Sequence, residues 1–320
     1  LANAGEISNK GVEVALSATA IKRQNGLNWD VTLNLGHNRA IVESLPEGVK
    51  DNYPMVANMY PNDGGTAGLD LVAVEGELLG QLRGLTFVRD ENDNIVHENG
   101  LPLTSEEKSI VGSYQPYLRA GVYNTFTYKK LSFGFLFDGS FGGKIFSRTH
   151  ALMNTAGGIT NNNDPNLPIS SLDGREIYDI SYDTDGAPVY DLIDAGGVVG
   201  PGVDIDGGEN TTSVSPRDYF YAYYGNGFRR DNIESALFDA TYVKLREVRI
   251  AYQFDSEALG NLGFEGLSVA FVGRNLLLFT DVPSIDPETY SIRNGRFVSG
   301  FESTQLPSTR SFGISINATF

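Results

Sequence analysis

Residues 310–320 read RSFGISINATF. Phe312, Ile314, Ile316, Ala318 and Phe320 fall on one face, and Ser311, Gly313, Ser315, Asn317 and Thr319 on the other. Strict alternation marks a strand with one apolar and one polar face. The run matches the roughly 9–11 residues that a tilted strand needs to cross a bilayer. Two architectures end on such a strand. One is a soluble sandwich; the other is a transmembrane barrel, whose last strand must pair with its first to remove the edge. The rest of the chain chooses between them.

The chain has 320 residues, with 16 Tyr, 18 Phe, one Trp, 37 Gly and no Cys. Without cysteine there are no disulfides and no thiolate metal sites. No run approaches the roughly 18 apolar residues of a membrane helix. A mean hydropathy of -0.19 does not exclude membrane strands, because alternation averages hydropathy out. The net charge of -16 argues against nucleic acid as a partner, which needs a basic surface. Residues 1–9 lack the basic and apolar regions of a signal peptide. For a barrel protein, this places the natural start upstream of Leu1.

Working back through the chain, alternating stretches recur. Residues 11–22 set Val12, Val14, Leu16, Ala18 and Ala20 against Glu13, Ser17 and Thr19. A turn at Asn25-Gly26 follows. Residues 27–39 then answer with Leu27, Trp29, Val31, Leu33 and Leu35. Residues 117–129 and 131–144 form a second hairpin around Lys129-Lys130. Phe133, Phe135, Phe137 and Phe141 occupy one face of it, with Ser, Gly and Asp behind, as expected for lipid outside and a lumen inside. Residues 241–254 change phase, with Val243 and Leu245 odd but Val248, Ile250, Tyr252 and Phe254 even. That slip requires an extra residue, so a bulge is expected at Arg246-Glu247. A polar turn at 255–266 and a strand at 267–279 complete the series. Residues 41–70 are irregular and 106–114 are linker-like. Residues 77–88 and 95–97 are candidate strands, so 71–104 contributes two strands or none.

Parity then supplies a topology. With the last strand ending in the periplasm, the segments 41–115, 148–240 and 280–308 are extracellular. The turns at 24–26, 129–130 and 255–266 lie inside, so every long connection falls on one side, as in outer-membrane barrels. The visible count is seven or nine strands. Single-chain bacterial barrels have an even number, so strands are expected upstream. The fold class is all-β, the C-terminal part of a large antiparallel transmembrane barrel with long extracellular loops. Residues 1–320 form a single portion of that barrel domain. The alternative is a secreted soluble β-rich carbohydrate-binding or adhesive module, which would bury its apolar faces and need no loop asymmetry.

Several motifs in order resemble SusC/RagA-type TonB-dependent outer-membrane transporters. They are GEISNKGVE at 5–13, followed by the Trp29 hairpin, then YKKLSF at 128–133 with GGKI at 142–145. YVKLREVR at 242–249, GRNL at 273–276, Leu306-Pro307, Arg310 and Phe320 follow. VGSY at 111–114 departs from the Asn- and Pro-rich approach usual in that family. The resemblance implies a 22-stranded barrel with a plug and a TonB-interacting segment that these residues do not contain. It also implies import of large nutrients, glycans or peptides, powered through TonB. A SusD-type surface lipoprotein would act as lid, and no chemistry would be done on the cargo.

Candidate sites lie mainly in the long loop. Between 151 and 216 there are 11 acids and one Arg, a balance of 1 - 11 = -10. Asp183 and Asp185, and Asp204, Asp206 and Glu209, offer oxygens at alternating positions, as calcium loops do. Neither segment follows the full twelve-residue pattern, and a solvated acidic loop is the reading favoured over calcium. The run Tyr219, Phe220, Tyr221, Tyr223, Tyr224 and Phe228 either contacts cargo or lid, packs the loop, or forms an aromatic girdle. Arg249 shares the polar parity and is expected to face a plug. Phe133, Phe135, Phe137, Phe141, Phe312, Ile314, Ile316 and Phe320 are expected to face lipid. Trp29 reads as an interfacial anchor. His37, His97 and His150 lack metal spacing and read as loop or lumen residues. No Ser–His–Asp grouping or phosphate loop stands out, so no enzymatic activity is expected.

Overall fold

The computed structural model describes residues 5–48, 53–56, 68–155, 167, 169, 172–225, 232–254, 265–289, 291–293 and 296–319. Seven strands form one antiparallel sheet. They are β1 (Glu6–Ile21), β2 (Leu27–Ser44), β3 (Leu118–Tyr128), β4 (Leu131–Phe141), β5 (Tyr242–Gln253), β6 (Gly266–Thr280) and β7 (Ser311–Thr319). They pair in chain order, so each connection is a hairpin and β1 and β7 are the edges. Segment 71–104 contributes none to this sheet. Within the expected strand at 77–88 only Gln81–Gly84 is extended, and it joins a separate four-stranded sheet with Tyr53–Val56, Asp70–Ala73 and Ser109–Ser113. The linker-like stretch is thus partly a strand.

Alternation converts the ladder into two chemically distinct faces. One row runs Trp29, Phe126, Phe133, Ile250, Phe271 and Ile314 across six strands. The adjacent row on the opposite face runs Asp30, Thr125, Gly134, Arg249, Val272 and Gly313. The apolar face remains uncovered: Ile250 is 45%, Phe271 47%, Phe312 65% and Ile314 72% exposed. Phe133, Phe135 and Phe137 lie on this face with Phe312, Ile314 and Ile316, and Phe141 keeps the same parity. Phe320 lies outside the described residues.

The bulge falls where the phase slip requires it. Leu136 pairs with Glu247 and Phe137 with Leu245, so Arg246 is skipped. On the other side Leu245 pairs with Leu277 and Glu247 with Arg274. At the first hairpin, Gly26 N–H reaches Arg23 C=O at 3.3 Å, and neither Asn25 nor Gly26 has positive φ. The connection is therefore not the two-residue Asn-Gly turn. Lys129-Lys130 is a two-residue turn, with Lys129 at φ +52°.

At the end of the sheet opposite the short turns, the three long connections fold together. Lys144–Ser147 sits between Leu237–Asp239 and Phe301–Glu302, joining the second and third connections. Leu69, Leu82, Phe87, Ile145, Phe146, Tyr219, Tyr223, Ile233, Phe238 and Phe301 share one apolar core. Helices α1 (Arg148–Thr155) and α2 (Pro216–Tyr224) border it. Helix α2 starts at Ser215, whose hydroxyl accepts the Asp218 N–H, and has Pro216 in its first turn. It ends at Gly225 in the left-handed conformation.

Candidate functional site

The polar face and the loop layer meet around the bulge. Skipping Arg246 turns its guanidinium onto two carboxylates at once. Nε and Nη2 lie 2.9 and 2.8 Å from Asp138 Oδ2, and Nη1 and Nη2 lie 2.8 and 3.0 Å from the Glu288 oxygens. Two residues earlier on the strand, buried Lys244 donates to Asp286 at 2.7 Å and Glu288 at 2.5 Å. Burial by itself would raise the Glu288 pKa, but the hydrogen bonds from Arg246 and Lys244 bring it down to about 2. Two cations of the wall thus hold the third long connection by two of its acids. The bulge was legible in the sequence. Asp138 was legible only as a polar-face residue; its pairing with Arg246, 108 positions away, and the sharing of that guanidinium with Glu288 were not.

A cavity of about 1400 Å³ opens beside this cluster, between the polar face and the loop layer. Its walls include Glu13, Asn34, Arg119, Asp138, Lys144 and Glu288. Arg249 stands on the same face, opposite Gly134 and Val272.

The aromatic run behaves differently from a contact surface. Tyr219, Tyr223 and Tyr224 are completely or almost completely buried, as is Phe220. Tyr223 packs on Phe87 with centroids 4.7 Å apart, and Tyr219 stacks on Tyr223 at 6.0 Å. This is a correction: apolar packing takes these rings, and they have no open face for cargo or lid. Of the described rings of the run, Tyr221 alone is partly exposed, with the Arg217 guanidinium 5.2 Å over its ring. Phe228 lies outside the described residues. His97 is also buried. Its Nδ1 faces Ile95 C=O at 3.1 Å, which assigns Nε2 as acceptor for the Tyr219 hydroxyl at 3.2 Å. Burial lowers the His97 pKa and raises that of Tyr219. His150 packs between Tyr224 and Phe238. His37 shares the parity of Leu33 and Leu35 rather than that of the lumen face.

In each acidic segment the first aspartate caps a turn. Asp183 Oδ1 accepts the N–H groups of Asp185 and Ala187 at 2.9 and 2.8 Å. Asp204 Oδ1 accepts those of Asp206 and Gly208 at 3.0 and 2.9 Å. In both cases a single oxygen, Oδ1, closes the turn. Among the described residues no three acidic or imidazole side chains converge to hold a metal.

No family model matches the chain. It is similar over its whole length to TonB-dependent receptor P26 of Formosa agariphila, at 26% identity across 345 residues. TonB-dependent receptor P39 of the same organism is 26% identical over 350 residues, again with full coverage of this chain. The chain spans about 30% of the length of these curated relatives. Among solved structures, the RagAB peptide transporter matches 99% of this chain and 30% of its own at a TM-score of 0.61 and 16% identity. The RagAB peptide importer in the closed-closed state gives 0.60. These proteins carry the names of receptors and importers, not of enzymes. In sequence, then, the chain is similar to TonB-dependent receptors, and its strands share the fold of the RagAB transporter, an outer-membrane β-barrel.

Proposed function

We propose that these seven strands are the C-terminal part of the barrel of a larger importer, which takes a large nutrient through the outer membrane with energy from TonB. The observation that carries this reading is the uncovered apolar face, from Trp29 across to Ile314. In water such a ladder is an aggregation site, whereas in a bilayer it is the surface a strand must present. Phe133, Phe135, Phe137, Phe141, Phe312, Ile314, Ile316 and Phe320 then face lipid. The opposite face lines a lumen, with Arg249 directed to a plug supplied by another part of the protein. The loop layer is extracellular.

A SusD-type surface lipoprotein is the proposed lid. Support comes from the hairpin Ile177–Tyr182 and Pro188–Asp194. Tyr178, Ile180 and Tyr182 stand opposite Leu192, Tyr190 and Pro188 on one face. Tyr182 is 72% and Tyr190 60% exposed. A lone two-stranded hairpin is marginal in water, and a protein partner would cover this face. The cargo is a glycan or a peptide; the RagAB neighbours are named for peptides, which supports the latter. The test is growth on single glycan or peptide sources in cells with and without the gene and with and without TonB. Uptake that survives loss of TonB sinks the reading.

A further inference from the structure

We propose that Arg119 and Lys144 form a site in the lumen cavity for a carboxylate borne by the imported molecule. The inference rests on the import reading above. It starts from an imbalance of pairing. Lys244 and Arg246, behind the same wall, are neutralised by Asp138, Asp286 and Glu288. Arg119 and Lys144 both line the cavity, and neither has an ion-pair partner among the described residues. What sets these two apart from other unpaired cations of the chain is that both line one cavity on the polar face.

Their surroundings leave them room. Across the ladder Arg119 stands between Gly36 on β2 and Ser140 on β4. A Cβ added at Gly36 would meet nothing within 4 Å, so the space beside the guanidinium is open. Lys144 runs its stem against Gly112, where an added Cβ would sit 3.1 Å from Lys144 Cγ. Gly112 is in the left-handed region at φ +123°, so a side chain is disfavoured there and the lysine path stays clear. Glu13 lines the same cavity in the same cross-strand row as Arg119, on the far side of Gly36, and has no ion-pair partner among the described residues. Asp138 and Glu288, the other acids, already accept from Arg246. Among the charged groups of the cavity wall, two uncommitted cations therefore stand against one uncommitted acid, Glu13. A guanidinium with its fixed fork, seconded by an ammonium, recognises a carboxylate through charge-assisted hydrogen bonds.

A carboxylate can come from a peptide or from an acidic sugar, and the experiment separates them. The full-length transporter with its lid, in detergent, is titrated with four probes. These are a short oligopeptide with a free C-terminus, its C-terminal amide, an oligogalacturonate and its methyl ester. Wild type is expected to prefer the acid form of one pair about tenfold or more, the scale of one charge-assisted contact. Arg119→Gln with Lys144→Gln should erase that preference while the neutral probe binds as before. Arg119→Lys with Lys144→Arg should keep most of it. Gel mobility with and without boiling checks that each variant is folded. No acid preference in either pair, or a preference untouched by the double substitution, overturns the site. Uptake that survives loss of TonB, with the acid preference intact, refutes the import reading and leaves the site standing.

Discussion

The Trp29 indole donates to Asn124 Oδ1 at 3.0 Å, on the apolar face of the sheet. Asn124 sits in the row of Val31, Phe135 and Val248, where lipid offers no hydrogen bond. Trp29 also stacks on Phe126, with centroids 5.5 Å apart. The pair is thus a closed polar unit in an apolar surface. Trp29→Phe keeps the ring and removes the donor, and should cost about 1–3 kcal/mol through the orphaned amide. Trp29→Phe with Asn124→Val should recover most of the loss. Refolding into lipid vesicles over a urea series measures the cycle, and additive effects would mean the hydrogen bond contributes nothing.

Phe135 neighbours Asn124 and Val248 in the same apolar row. Phe135→Arg should cost about 2–4 kcal/mol at the middle of the bilayer. The same change at Thr125, on the polar face opposite Gly134, should cost far less. Amounts of heat-modifiable protein in outer membranes compare the two, and equal losses would reverse the assignment of faces.

Glu288 ties the third long connection to the wall through Lys244 and Arg246. Its pKa is held near 2, below the usual 4.5. A depressed carboxylate contributes fully above its unfolded pKa and loses that contribution as pH falls through the folded one. The connection should therefore stay closed at neutral pH and open between about pH 4.5 and 2, the window set by those two values. Pepsin, active in that range, should cut residues 281–289 progressively faster as pH falls. Glu288→Gln should remove the pH dependence and leave the segment more accessible at every pH.

Phe220 is buried in the loop layer, 2% exposed, whereas Tyr221 beside it is partly exposed. Phe220→Ala should destabilise the layer by about 3–5 kcal/mol. Tyr221→Ala should stay within about 0.5 kcal/mol. Hydrogen exchange in the loops reads this, and the seven-stranded sheet should be unaffected. The layer should also weaken as pH drops below 6.5, because the unfolded loop takes up a proton that buried His97, with its lowered pKa, does not. His97→Gln should flatten that slope.

Tyr182 and Ile180 point from the exposed hairpin with no described element against them. Tyr182→Ser with Ile180→Ser should leave folding unchanged and weaken recovery of the lid lipoprotein with the transporter. Undiminished recovery would move the lid contact elsewhere on the loop layer.

Much of this molecule is written in two-residue periodicity. The alternation of Phe133, Phe135 and Phe137 with Ser132, Gly134 and Leu136, and of Phe312, Ile314 and Ile316 with Gly313 and Ser315, dictated strands, faces and connection sides. The slip between Leu245 and Val248 dictated the bulge. These are local signals, because successive side chains on a strand must point to opposite faces whatever lies nearby. Tertiary structure alone decided the rest. Whether Tyr219 and Tyr223 meet cargo or core depends on Phe87, more than 130 positions upstream. That Asp204 caps a turn depends on backbone N–H groups that only the folded loop turns toward it. That Arg246 and Lys244 are quenched while Arg119 and Lys144 are not depends on where residues 286–288 come to rest. Such pairings join distant segments through packing and charge, and no periodicity in the chain records them.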